Sequence, residues 1–211
     1  MSMGELGQLH APALPEELGQ RLERPGYKRD FRERREVIRD AESWKLERLQ
    51  HFEEDSPARD ALRRGDWAGA LRLFEARRNQ FRGAAETDRL NNAPFRRLRV
   101  VEEPLTPYMQ WELHSLHVRA QAGNPSRVIS AKDVAAAETD KLLPEVVILG
   151  GRTLYRVLYS EAGASLGAIR FTDPEIIEPW VAYISRAYAV AEDIQDYFAR
   201  AVAHLPPPPA A

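Results

Sequence analysis

A strand that stops and a helix that starts back to back, between Phe95 and Gly123 (FRRLRVVEEPLTPYMQWELHSLHVRAQAG), constrains this chain more than any other stretch. Leu98 and the β-branched pair Val100 and Val101 favour an extended segment, and Pro104 has no N–H to offer a following ladder. Thr106 stands where an N-cap hydroxyl belongs, with Pro107 at the first helical position, where a missing N–H costs nothing. Met109, Leu113, Leu116 and Ala120 then recur at spacings of three and four, which makes one buried helix face. Gly123 suits a left-handed C-cap. A β–turn–α unit of this kind implies an α/β core. It implies no particular chemistry.

The segments that follow extend the core. Ser126 to Ser130 reads as a second strand, and Ser130 with Asp133 as a capping box for a helix over Ala131 to about Asp140. Val146 to Leu149 is the continuous apolar run of a strand buried on both faces, and Gly150-Gly151 is a hairpin turn. Thr153 to Ser160 and Leu166 to Phe171 read as two further strands. Asp173-Pro174 starts a helix carrying Ile177, Trp180, Val181, Ile184 and Tyr188, and its pattern runs on through Ile194, Tyr197, Phe198 and Val202 to His204. The expected class is therefore α/β (mixed α+β), with a central mixed sheet of about five strands in βαβαβββα order and helices packed on it.

Before this core, at residues 95–204, the sequence predicts an N-terminal helical extension at 27–94. Tyr27 to Glu54, dense in alternating charge, reads as one long amphipathic helix or two shorter ones. Ser56-Pro57 opens a helix that ends at Gly65, and Asp66 caps a second with Trp67, Ala70, Leu71, Phe74 and Phe81 on its apolar side. Gly83 to Pro94 reads as the loop into the core. Residues 1–26, with Pro12, Pro15 and Pro25, read as a mobile arm in which Glu16 to Glu23 could make a short helix. The end, 205–211, is a Pro-rich tail.

Composition narrows function mostly by exclusion. With no cysteine among 211 residues, disulfides, thiolate zinc sites and cysteine nucleophiles are ruled out. No basic, apolar leader opens the chain, and no apolar run approaches the about 20 residues that span a bilayer, so a cytoplasmic address without membrane contact is expected. Residues 1–100 hold 21 basic and 18 acidic side chains and the remainder 9 and 14, a split that suits either two partners or two halves that touch. No serine sits on a nucleophile elbow, and Gly150-Gly151 lacks the context of a phosphate loop. His114 and His117 share a helix face but read as polar flanks of Leu113 and Leu116, and His10 and His51 suggest no site. No metal and no cofactor is expected.

Two resemblances add to this. The phrases WKLERLQHF, RGDWAGALRLFE, RVVEEPLTPYMQWELHSL, LPEVVILGG, LYSEAGASLGAIRFTDP and HLPPPP resemble an uncharacterised actinobacterial domain family, over about Trp44 to Pro206. Its members look like companions of helix-turn-helix regulators. In fold alone, the βαβαβββα order is similar to one half of a phospholipase D-like domain. That family places a His-x-Lys pair on or near the equivalent of the Glu145 to Leu149 strand, which here reads EVVIL and lacks it. The resemblance then implies a catalytically degenerate scaffold.

Candidate binding residues gather around the end of the first core strand, where ligands settle in open α/β sheets. Alternation puts Arg97 and Arg99 on one face, and Arg96 with Leu98 and Val100 on the other. Glu102, Glu103, Thr106, Tyr108, Trp111 and Glu112 would combine carboxylates with aromatic faces, a notch suited to a guanidinium or amine. Arginines of the helix Arg29 to Arg39, or of a partner, are the expected guests. The favoured function is a non-enzymatic regulatory or protein-interaction module with a protein partner or homodimer, such as a helix-turn-helix regulator. The alternative is a nucleotide- or nucleic-acid-directed phosphodiesterase-like enzyme with a modified site; direct nucleic-acid binding is less favoured.

Overall fold

The computed structural model describes residues 10–139 and 141–209. Among them the protein is mixed α/β, with eight α-helices on one eight-stranded mixed sheet. The strands are β1 (Gln20–Glu23), β2 (Ser43–Glu47), β3 (Phe95–Val101), β4 (Ser126–Ser130), β5 (Glu145–Leu149), β6 (Thr153–Tyr159), β7 (Ser165–Phe171) and β8 (Glu192–Asp193). The helices are α1 (Arg24–Glu36), α2 (Pro57–Arg63), α3 (Trp67–Ala76), α4 (Arg78–Leu90), α5 (Pro107–Gln121), α6 (Ala131–Val134), α7 (Pro174–Val190) and α8 (Ile194–Ala201). The spatial order is β1-β7-β6-β5-β2-β3-β4-β8. Only β2, β3 and β4 run parallel; every other pairing is antiparallel.

From β3 to α7 the element order is the expected βαβαβββα. Its local signals work as read. Thr106 Oγ1 accepts from Met109 N at 3.1 Å, and Ser56, Asp66 and Asp173 cap their helices in the same way. Gly150 and Gly151 both take positive φ in the three-residue β5–β6 connection, where Arg152 N donates to Leu149 O at 3.0 Å.

The largest departure lies in the segment expected to be a long helix. Helix α1 ends at Glu36, and Ser43–Glu47 is a strand in the middle of the sheet, between β3 and β5. Its alternation is real but disguised. Trp44 and Leu46 enter the core on one face, while Ser43, Lys45 and Glu47 line the other, so only two of five residues look apolar. Asp40, in left-handed conformation, makes the turn into β2, and Asn92, also left-handed, donates to its Oδ1 at 3.1 Å. Residues 16–23 likewise form a 3₁₀ turn and then β1, not a helix, and β1 covers the edge of β7. Of the expected arm, 1–9 fall outside the described residues; Trp180 Nε1 donates to Ala13 O at 3.3 Å.

Smaller corrections have local causes. Gly83 lies within α4, where buried Phe81 anchors the helix and the roughly 1 kcal/mol cost of a glycine is tolerated, so the loop before β3 is only 91–94. The helix after β4 is four residues and a 3₁₀ turn; Ser130 Oγ accepts from Lys132 N, and Asp140, its expected end, lies outside the described residues. The last helix is two, because the chain extends at Ala191 to add β8 beside β4 before Asp193 caps α8.

The sheet's two faces bury different things. Under α7, Trp44, Leu46, Leu98, Val100, Val146, Ile148 and Phe171 pack on Ile177, Trp180 and Ile184. On the other face, α5 with α2, α3 and α8 covers one end through Met109, Leu113 and Phe74, and α1 covers the other through Tyr27 and Phe31 against Tyr155. Between those two patches the face is charged.

Candidate functional site: a strand-end cleft and neighbouring ion pairs

The parallel strands β2 and β3 end on one side of the sheet, where β5 begins and β6 ends. A cleft of about 830 Å³ opens there, lined by Gln50, His51 and Arg59, by Thr106 and Tyr108 at the start of α5, and by Glu145, Leu158 and Tyr159. Its size is that of a small-ligand or peptide pocket. Gln50 fastens the two strand ends together: Nε2 donates to Arg48 O at 2.7 Å and Val100 O at 3.0 Å, and Oε1 accepts from Glu102 N at 3.0 Å. Thr106 Oγ1 adds a bond to Gln50 O at 3.3 Å.

Glu145 is the buried carboxyl of this cleft. It is only 6% exposed, and Oε1 accepts from both Arg48 N and Leu49 N at 2.7 Å. Oε2 is buried with no partner. Burial, reinforced by the charge of Glu47, pushes the Glu145 carboxyl up to about 7, against the two amide bonds and Arg99. Beside it, His51 lies 3.2 Å from Glu53 Oε2 and packs on the Tyr108 ring at 5.0 Å. Burial and the cations Arg59 and Arg63 hold its imidazole below the usual histidine range. Arg59, over the same ring at 5.4 Å, keeps a buried Nε without an acceptor.

The residues expected to form one acidic notch are brought to separate places. Arg99, fully buried, pairs with Glu112 (Nη2 to Oε2, 2.8 Å) and donates Nη1 to Val100 O and Glu47 O. Burial lifts the Glu112 carboxyl even against the pull of Arg99. Arg97, on the same sheet face as alternation requires, binds Glu47, which also holds Lys45 Nζ at 2.5 Å. Burial would raise the Glu47 carboxyl, but Arg97 and Lys45 outweigh it and hold it far below the carboxylate range. Glu102 and Glu138 share Arg48, at 2.6 and 2.5 Å. Glu103 accepts from Tyr197 on α8 at 3.2 Å. Thr106 and Tyr108 alone line the strand-end cleft, with the Tyr108 hydroxyl donating to Glu54 at 2.9 Å, while Trp111 is core. Glu102 and Glu112 thus do receive arginines, from Arg48 just beyond β2 and Arg99 on β3 rather than from Arg29 to Arg39.

Sequence reasoning missed Arg48, His51, Arg59 and Glu145. Arg48 and His51 lie in a segment read as one long helix, Arg59 in a short helix read only for its caps, and Glu145 counted only as the polar start of an apolar strand. Once β2 is recognised, its register against β3 and β5 brings residues 48–51 to the strand ends beside 145. His114 and His117 pack on Phe198, at 4.7 and 4.0 Å between rings. Burial, with the neighbouring His117, brings the His114 imidazole down to about 4.

A family model described as a domain of unknown function, DUF6879, matches residues 30–199. No curated protein and no solved structure shows a significant match to the chain.

Proposed function

The chain belongs to the DUF6879 family of domains of unknown function, and from that premise we propose that it is a non-enzymatic regulatory module that holds a segment of a protein partner in the strand-end cleft. One observation carries this reading: the cleft is lined largely by apolar and aromatic side chains, and the ion pairs behind the strand ends are already committed to one another. Arg48 serves Glu102 and Glu138, Arg99 serves Glu112, and Glu47 serves Lys45 and Arg97. Groups so neutralised make a stiff scaffold and a poor catalyst. The cleft lining is mostly apolar and aromatic, including Tyr108, Leu158, Tyr159 and the exposed Leu142. A regulator with a helix-turn-helix domain is the partner in view, on the resemblance to the actinobacterial family.

The test is co-expression with such a regulator from the same genome, followed by purification and light scattering. A defined complex that Leu142→Asp dissolves without loss of fold is the expected result; a monomer in every combination would overturn the reading. The phosphodiesterase-like alternative draws on the phospholipase D-like resemblance and on His51 and Glu145 sharing the cleft. Turnover of a generic phosphodiester, abolished by His51→Ala, would install it instead.

A further inference from the structure

A second cleft, of about 450 Å³, lies on the charged sheet face between α1 and α5. Its floor is Lys45 and Glu47 of β2 with Arg97 of β3. Lys28 stands on the α1 side, Arg119 on the α5 side, and Arg77 at the junction of α3 and α4.

The carboxylates around this cleft already have partners. Glu47 takes Lys45 and Arg97, Glu112 takes Arg99, Asp55 takes Arg24, and Glu53 takes Arg59 and Arg63. Glu54 accepts from Tyr108. That leaves Lys28, Arg77 and Arg119 with no carboxylate partner among the described residues. Arg77 Nε reaches only the neutral Gln80, at 3.0 Å, and Arg119 rests on the Phe81 ring at 4.2 Å. Burial, together with the charges of Arg97 and Arg77, pulls the Arg119 guanidinium down to about 10. Cations gathered this way repel one another until an anion arrives.

A second observation points to the same guest. Trp111, 2% exposed, is part of the cleft lining, and its buried Nε1–H has no acceptor. A buried indole donor without an acceptor is destabilising. A phosphoryl oxygen is an acceptor for it as well as a counter-charge for the arginines. Phe52, Phe74 and Tyr159 complete an aromatic wall able to receive a ring.

We propose that this cleft is a binding site for a small phosphate-bearing molecule of nucleotide size, its phosphate held by Arg119, Arg77 and Lys28 and its ring laid on the aromatic wall. The site is separate from the strand-end cleft, sharing only the Tyr159 side chain with it. Its existence does not depend on what that cleft binds.

The experiment is calorimetric titration and thermal denaturation of the whole chain with adenosine monophosphate, inorganic phosphate and adenosine, at ionic strength held constant with chloride. Wild type is expected to bind and be stabilised by the monophosphate and not by adenosine. A response to inorganic phosphate of equal strength would identify free phosphate as the source of the same chemistry. Arg119→Met should weaken binding at least tenfold without lowering the melting temperature of the unliganded protein, because it removes an uncompensated charge and keeps the contact with Phe81. Arg77→Ala, at an exposed position, should weaken binding severalfold and gives the answer if the first variant does not fold. No response of wild type to either phosphate, or an unchanged response in the Arg77→Ala protein and in any folded Arg119→Met protein, would overturn the proposal.

Discussion

Arg99 Nη2 and Glu112 Oε2 lie 2.8 Å apart in the interior, joining strand β3 to the helix that follows it. The arginine is wholly buried and the glutamate 6% exposed, so neither can turn to water if the other is removed. Pairs of this kind are costly to break and cheap to replace whole. Arg99→Met alone should destabilise by about 3–5 kcal/mol, whereas Arg99→Met with Glu112→Leu should recover most of that loss. Urea denaturation of the two variants checks it. Equal losses in both would mean that the pair does not act as a unit.

The two glutamates that share Arg48 should differ in what they contribute. Glu102 is half-exposed, at 50% of its side chain, and Glu138 is nearly buried at 8%. Glu102→Gln should cost less than about 1 kcal/mol, as exposed pairs do. Glu138→Gln should cost about 1–3 kcal/mol, because a buried charge-assisted bond is weakened. Chemical denaturation at neutral pH orders the two; the reverse order would contradict the assignment.

Glu145 predicts a pH dependence of known sign. Its carboxyl rises from an ordinary value of 4.5 to about 7 on folding, so the folded state holds the proton more tightly than the unfolded one. Its contribution is most favourable below about pH 4.5 and is lost as pH rises to 7 and beyond. Glu145→Gln keeps an acceptor for the Arg48 and Leu49 amides and cannot ionise. The stability of this variant relative to wild type should therefore grow between pH 5 and pH 8, by on the order of 3 kcal/mol. A pH-independent difference would show that Glu145 does not titrate in this range.

Gly167 should prove irreplaceable. Its φ is +135°, and a Cβ there would stand 2.1 Å from Leu22 O on β1. Gly167→Ala combines a forbidden backbone with a backbone clash, so a loss of more than about 1 kcal/mol is expected. Limited proteolysis should then cut near residues 20–23, which lie protected in wild type by pairing with β7. Equal resistance in both proteins would mean that β1 docks independently of this residue.

The half of the chain from Phe95 onward was legible because its signals are local. Proline, cap and glycine positions mark where each element starts and stops, and apolar runs such as Val146 to Leu149 can only be interior. The strand order, the parallel core of β2, β3 and β4, and the site itself were decided at tertiary level. Strand β2 carries Lys45, Glu47 and then Arg48, charges that a single segment cannot justify burying. They become tolerable only when Arg97, Glu102 and Glu138 arrive from 50, 54 and 90 residues away to neutralise them. Sequence therefore determined which segments are helix or strand wherever burial is apolar. Where burial is ionic, the partner of each charge is a property of the folded chain, and so are both clefts that those charges support.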